Sequence, residues 1–167
     1  MESNWIGNTK KIISNGKVGC WSPNRFHKPV REGSIPSLTT SLRDRIKIMN
    51  ADNEKKLVED FPVLFKDYGG HAFETAMAWG CECGDGWFDL IYQACVGVMQ
   101  EDNRAYFTQI KEKFGGLRLY ACANPKAYEV LTKAEKESYN ICEICGSEEN
   151  VTSEGSWIKT LCGVCRR

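Results

Sequence analysis

Residues 141–167 read ICEICGSEENVTSEGSWIKTLCGVCRR and contain two cysteine pairs, Cys142-x-x-Cys145 and Cys162-x-x-Cys165, with 16 residues between them. A C-x-x-C pair followed or interrupted by glycine makes a tight knuckle that aims two thiolates at one ion. Here Gly146 follows the first pair and Gly163 sits inside the second. The spacing matches a C-x₂-C-x₁₅₋₂₀-C-x₂-C zinc site. The intervening SEENVTSEGSWIKT suits a β-hairpin that folds the second knuckle back onto the first. The expected cofactor is therefore one structural zinc per chain, held by Cys142, Cys145, Cys162 and Cys165. An iron–sulfur centre or four reduced, packed thiols are the alternatives. A closed four-thiolate shell leaves no coordination position for water or substrate, so the metal is expected to hold the fold rather than do chemistry. The chain stops two residues after Cys165, where a treble-clef finger would continue into a helix. The module is then either a ribbon-like pair of knuckles or a treble-clef-like module whose helix is missing.

The bulk composition agrees with a folded chain: 167 residues, 42% hydrophobic and 26% charged, which is globular and neither disordered nor membrane-like. No apolar run reaches the roughly 18 residues of a membrane span, and the first residues lack a signal-peptide core. The expected location is cytoplasmic, with no membrane partner. Nine cysteines, an odd number, do not suggest a disulfide framework in a reducing compartment. Net charge is zero but unevenly placed: residues 1–50 carry nine Lys/Arg against three Asp/Glu, and residues 51–100 carry three against nine. Either the two segments compensate each other, or the basic arm meets a phosphate-bearing ligand.

Walking outward from the cysteines gives an α+β chain. Helices are expected at about 41–50, 54–61 (capped by Asn53 and ended by Pro62), 86–100 (capped by Asp85) and 126–139. The helix at 86–100 carries the clearest stripe, Phe88, Ile91, Tyr92, Cys95 and Val98 or Met99. A hairpin spans 106–122 about a Gly115-Gly116 turn, with Leu117, Leu119 and Ala121 on one face and Arg118, Tyr120 and Cys122 on the other. Residues 1–40 lack periodicity and read as a loosely structured arm with a short strand at Lys10–Ser14. The organisation is then a basic arm with the first helix (1–50), an α+β core (51–140) and a zinc-binding module packed on it (141–167).

Other candidate sites are less defined. CWSPNRFHKPVR (20–31) places Trp21 and Phe26 beside Arg25, His27, Lys28 and Arg31, an interleaving that suits a nucleotide's base and phosphate; a solvated basic loop is the other reading. WGCECGDGW (79–87) offers Trp79 and Trp87 as stacking surfaces. Its Cys81 and Cys83 are candidates for a second metal site with Cys20, His27, His71, Cys95 or Cys122, or else they are packed thiols. Lys113 and Arg118 flank the Gly-Gly turn and add positive charge. His71 and Glu74 lack the third group an acid–base site needs. No P-loop, dinucleotide, nucleophile-elbow or H-E-x-x-H motif is present. Between Cys142 and Cys165 four glutamates face Lys159 alone, a poor phosphate-binding balance.

FPVLF (61–65), WGCECGDGWFDLI (79–91), IKEKFGGLRLY (110–120) and CEICG…WIKTLC (142–162) in combination resemble a group of small four-cysteine, zinc-ribbon-like proteins of tailed bacteriophages, over residues 57–165. In that group a His or similar residue often replaces one of the last ligands, whereas Cys165 here keeps the set all-thiolate. The resemblance implies a phage protein acting in a bacterial cytosol and no particular activity. Three functions follow as expectations. The first is a non-enzymatic factor binding a host protein or nucleotide-type small molecule to counter antiviral defence. The second is a nucleic-acid-binding regulator using the basic arm. The third is a small nucleotide-processing enzyme built around residues 71–87.

Overall fold

The computed structural model describes residues 49–167 in full and, before them, the backbone of three short strands. These are β1 (Trp5–Ile6), β2 (Thr9–Ser14) and β3 (Lys17–Cys20), joined as an antiparallel sheet in the order β1-β2-β3. The strand expected at Lys10–Ser14 is β2, paired with β1 and β3. The chain divides into two compact units, Met1–Thr39 and Thr40–Arg167.

Helix α1 (Ala51–Asp60) begins three residues earlier than its sequence implies. Asn50, not Asn53, is the cap: its side chain accepts from the Asn53 backbone N–H at 2.9 Å, which closes the first turn. Residues 41–48 of the first expected helix lie outside the described residues, and Met49 and Asn50 are not helical. Past Asp60 the chain turns through residues 62–69, burying Leu64 and Phe65.

Asp85 also works differently from its expected role. It lies in a 3₁₀ turn, Asp85–Trp87, and makes no cap for α2 (Phe88–Glu101). Its Oδ1 accepts instead from the backbone N–H of Asn50 (2.8 Å) and from the side-chain amides of Asn50 (2.8 Å) and Asn53 (3.0 Å). The N-terminus of α1 offers a carboxylate both donors and the positive end of a helix dipole, and that outweighs capping its own helix. Of the predicted stripe of α2, Ile91, Cys95 and Val98 are fully buried and Phe88, Tyr92 and Met99 are half-buried against the core; Ala94, outside the stripe, is buried with them.

Strand β4 (Cys81–Glu82) runs parallel to β5 (Tyr106–Lys113), which pairs antiparallel with β6 (Gly116–Cys122). Lys113 pairs with Gly116, so the two turn residues are Phe114 and Gly115, with φ of 54° and 74°. The turn thus sits one residue before the Gly-Gly pair. Gly116 is needed for another reason: a Cβ there would lie 2.5 Å from the Tyr139 ring and hydroxyl. The faces of β6 fall as expected, with Leu117, Leu119 and Ala121 buried. Helix α3 (Pro125–Glu137), capped by Asn124 with proline in its first turn, packs on β6 and on α2. It ends in a 3₁₀ turn, Ser138–Asn140, followed by the hairpin β7 (Val151–Glu154) and β8 (Lys159–Cys162). The fold is α+β with the cysteine cluster at its C-terminal end. Among the described residues no helix is long and apolar enough to cross a membrane.

One buried carboxylate ties these elements together. Glu54, 8% exposed, accepts from the Cys81 backbone N–H at 2.6 Å and from the Tyr68 hydroxyl at 2.7 Å. Gly80 (φ +69°) gives it room, since a Cβ there would lie 2.5 Å from Glu54 Oε1. The Glu54 hydrogen bond pushes the Tyr68 phenol up to about 12, with burial adding to it. Removing the acceptor leaves the buried Cys81 N–H unsatisfied and frees the half-buried Tyr68 hydroxyl. Glu54→Ala is expected to cost about 2–4 kcal/mol in urea denaturation, and Tyr68→Phe about 1 kcal/mol.

Candidate metal centre and the adjoining cleft

The first knuckle follows α3 directly. The Gly146 N–H donates to the Cys142 carbonyl at 2.9 Å and the Cys142 N–H to the Ser147 carbonyl at 2.8 Å. Gly146 takes φ +74°, a backbone state that favours glycine. The second knuckle begins at the end of β8. There the Cys165 N–H donates to Cys162 Sγ at 3.4 Å, and the Arg166 N–H donates to the Cys162 carbonyl at 3.1 Å. The hairpin register, Val151 opposite Cys162 and Glu154 opposite Lys159, carries the second knuckle back to the first.

All four sulfurs lie within 4.8 Å of one another, and Cys145 Sγ is 3.7 Å from Cys162 Sγ. A zinc tetrahedron with bonds of about 2.3 Å has edges of about 3.8 Å, so the donor set fits one such ion. The thiols already bias one another. The Cys165 N–H, with further hydrogen bonds from Cys165 and Cys145, lowers Cys162 to about 6. Burial and the neighbouring sulfurs push Cys165 up. A dication at the centre would supply the charge that lets all four ionise. Among the described residues no second group of His, Cys, Asp and Glu is placed to hold a metal.

The module is fastened to the core by backbone, not by side-chain packing alone. The Gly86 N–H donates to the Glu143 carbonyl at 2.9 Å, and the Trp87 indole N–H to the Ile141 carbonyl at 2.9 Å. A Cβ on Gly86 would lie 2.1 Å from the Cys142 carbonyl and 2.5 Å from Gly146 N; one on Gly84 would lie 2.2 Å from the Glu143 carbonyl. The glycines of WGCECGDGW therefore make a platform flush with the first knuckle. On the other side the Glu143 N–H donates to the Thr160 carbonyl at 2.9 Å, and the Thr160 hydroxyl donates to the Gly115 carbonyl at the tip of the β5–β6 hairpin.

Between these two fastenings lies an ion cluster that no spacing rule announces. Lys159 Nζ is 2.8 Å from Glu112 and 2.9 Å from Glu143, and the Glu143 side chain is fully buried. Burial pushes the Glu143 carboxyl up, and Lys159 pulls it back only in part. Burial also works against the Lys159 charge, but the two carboxylates outweigh it and raise the ammonium. The ammonium is the firm charge of the cluster, and it is shared between two acids. Beside it opens a cleft of about 280 Å³, lined by Trp79, Glu82, Lys111, Glu112, Glu143, Trp157 and Lys159.

The other sequence candidates are scattered. Trp79 lines this cleft, but Trp87 is fully buried and presents no face to a ligand, because the core closes over it. Arg118 donates to the Leu117 carbonyl at 2.7 Å and to the Tyr139 hydroxyl at 2.8 Å, away from the cleft lining. Trp21, Arg25, Phe26, His27 and Lys28 lie outside the described residues. Cys81, Cys83 and Cys95 are buried, and burial drives their thiols up, as packed thiols require. Cys122 lies half-buried on the less buried face of β6. His71 is exposed and stacks on Phe73 at 5.2 Å. Sequence reasoning missed Glu112, Glu143 and Trp157 as site residues; Glu112 and Lys159 meet across 47 positions, which leaves no local signal.

No family model, curated protein or solved structure matches the chain.

Elemental analysis of natively prepared protein is expected to give one zinc per chain. Stripping it with a chelator, or Cys162→Ser, should lower stability by at least about 3 kcal/mol, roughly ten degrees in Tm. A chain that keeps its melting temperature without metal would contradict the structural role. Gly86→Ala meets backbone that cannot rotate away, so a loss of about 2–4 kcal/mol is expected, with red-shifted indole fluorescence as Trp87 loses its seat. Gly163, with nothing within 4 Å of a Cβ, is the control: Gly163→Ala should stay within about 0.5 kcal/mol.

Proposed function

We propose that this chain is a non-enzymatic, zinc-stabilised binding protein that engages a host protein, serving a tailed bacteriophage against host defence in the bacterial cytosol. The observation that carries the binding reading is the juxtaposition of a four-thiol shell with an aromatic cleft. The shell keeps no open position for substrate, and among the described residues the cleft beside it is lined by two tryptophans, three glutamates and two lysines, with no Ser, Cys or His nucleophile. Among the described residues its deeply placed cation is Lys159, engaged by two carboxylates. A phosphate would meet more negative than positive charge there, which favours a protein over a nucleotide at this face. The phage and anti-defence parts rest on the resemblance over residues 57–165.

The zinc-loaded chain, immobilised and exposed to bacterial lysate, is expected to retain a stoichiometric protein that binds again when purified, as measured by calorimetry. Native mass spectrometry with cyclic and linear nucleotides should show no adduct. A nucleotide held in stoichiometric amount, turnover of one, or failure to retain any protein would each end this reading. A second reading, nucleic-acid binding, rests on the +6 balance of residues 1–50. Gel shifts across a salt series separate it, because phosphate-driven binding must weaken steeply as salt rises.

A further inference from the structure

The four clustered sulfurs are not equally sheltered. Cys142 and Cys162 are 0% and 4% exposed, whereas Cys145 is exposed and Cys165 half-buried. The chain around the knuckles does not cover them. Ile144 and Val164, one in each knuckle, are 37% and 75% exposed, and a Cβ on Gly163 would meet nothing within 4 Å. The shell is thus open to solvent at Cys145. The Cys145 sulfur lies 3.7 Å from that of Cys162 on the opposite knuckle. Elsewhere Cys81, Cys83 and Cys95 are fully buried and out of a solute's reach.

We propose that Cys145 is a site of oxidation by peroxides, which joins it to Cys162 in a disulfide between the two knuckles and expels the metal. This rests on the reading of the four sulfurs as a zinc site. Zinc ligation holds a thiol ionised, and the thiolate is the form that attacks an oxidant. The Cys145 sulfur attacks one peroxide oxygen, the O–O bond breaks, and hydroxide leaves; the sulfur is then a sulfenic acid. The Cys162 thiolate attacks that sulfur, the S–S bond forms, and the S–O bond breaks with loss of a second hydroxide. Two electrons pass from the two thiolates to the peroxide, and zinc keeps its oxidation state. The ion loses two of its four anionic ligands, and the remaining pair cannot close a tetrahedron. The two sulfurs start 3.7 Å apart and must close to about 2.05 Å. Because the new bond spans the knuckles, it keeps β8 tied to the first knuckle while the ion is absent. Reduction then returns a site ready to take zinc back. Transient disulfides of this kind are the ones a reducing compartment allows.

The test treats the full, natively zinc-loaded chain with hydrogen peroxide and follows free zinc with the colorimetric chelator 4-(2-pyridylazo)resorcinol. Peroxide is expected to release about one equivalent of zinc. Dimedone, which traps sulfenic acids, should label Cys145 ahead of Cys142, Cys162 and Cys165. Peptide maps at completion should show a Cys145–Cys162 disulfide, with Cys81, Cys83 and Cys95 still reduced. Dithiothreitol with added zinc should restore the original melting temperature. Cys145→His keeps a zinc ligand but removes the attacked sulfur, and its zinc release should be at least about tenfold slower. Should that variant take up no zinc, the dimedone label and the disulfide map of the unaltered chain decide alone. First labelling at another of the four cysteines, a disulfide confined to one knuckle, or release from Cys145→His at the unaltered rate would each overturn the assignment. A natively prepared chain without zinc ends the metal reading and this site with it. A chain that holds zinc through peroxide treatment leaves the metal reading standing and ends this site alone.

Discussion

The hydrogen bond from the Gly86 N–H to the Glu143 carbonyl marks the place where the four-cysteine module and the core become one body. A module of about 27 residues with two short strands buries too little to stand alone, and a metal shell fixes only its own knuckles. What turns that shell into part of the core is a backbone-to-backbone contact with no side chain between the surfaces. Gly84 and Gly86 supply that closeness, and the Trp87 indole beside them reaches the Ile141 carbonyl. The conspicuous run WGCECGDGW thus has a structural purpose at its second half, while its first half, Trp79 and Glu82, borders the cleft.

The second fastening explains why charge is buried here at all. Placing Glu143 between Cys142 and Cys145 takes its side chain inside wherever the knuckle docks, and an isolated buried carboxylate is costly. Lys159 from β8 and Glu112 from β5 resolve this by sharing one ammonium. The same arrangement fixes the hairpin tip against the zinc module through Thr160 and Gly115. Structural compensation and surface chemistry therefore come from one cluster: the ion network that makes the docking tolerable also sets the negative balance of the cleft.

Carboxylates recur as connectors across the core. Glu54 links α1 to Cys81 and Tyr68, and Asp85 links the glycine platform to the start of α1. Each is a carboxylate satisfied by several donors from a distant segment, and each fixes how an element sits without adding apolar area. The described side chains have no buried polar atom left without a partner, so these connectors hold position at little unsatisfied cost.

The sequence by itself determined whatever depends on neighbours a few residues apart. The cysteine spacing located the metal cluster, the 3.6-residue stripe located α2, and alternation set the faces of β6. Local rules reached their limit where two candidates were each sterically allowed: Asn50 or Asn53 as cap, Phe114-Gly115 or Gly115-Gly116 as turn, Asp85 facing its own helix or another. Contacts from elsewhere decided those, because Tyr139 needs the space at Gly116 and the start of α1 supplies more donors to Asp85 than α2 does. Only the tertiary structure could join Glu112, Glu143 and Lys159, or place Trp79 and Trp157 on one cleft. Such pairings are set by how α3 carries the zinc module back over the β5–β6 hairpin, and no periodicity along the chain records that path.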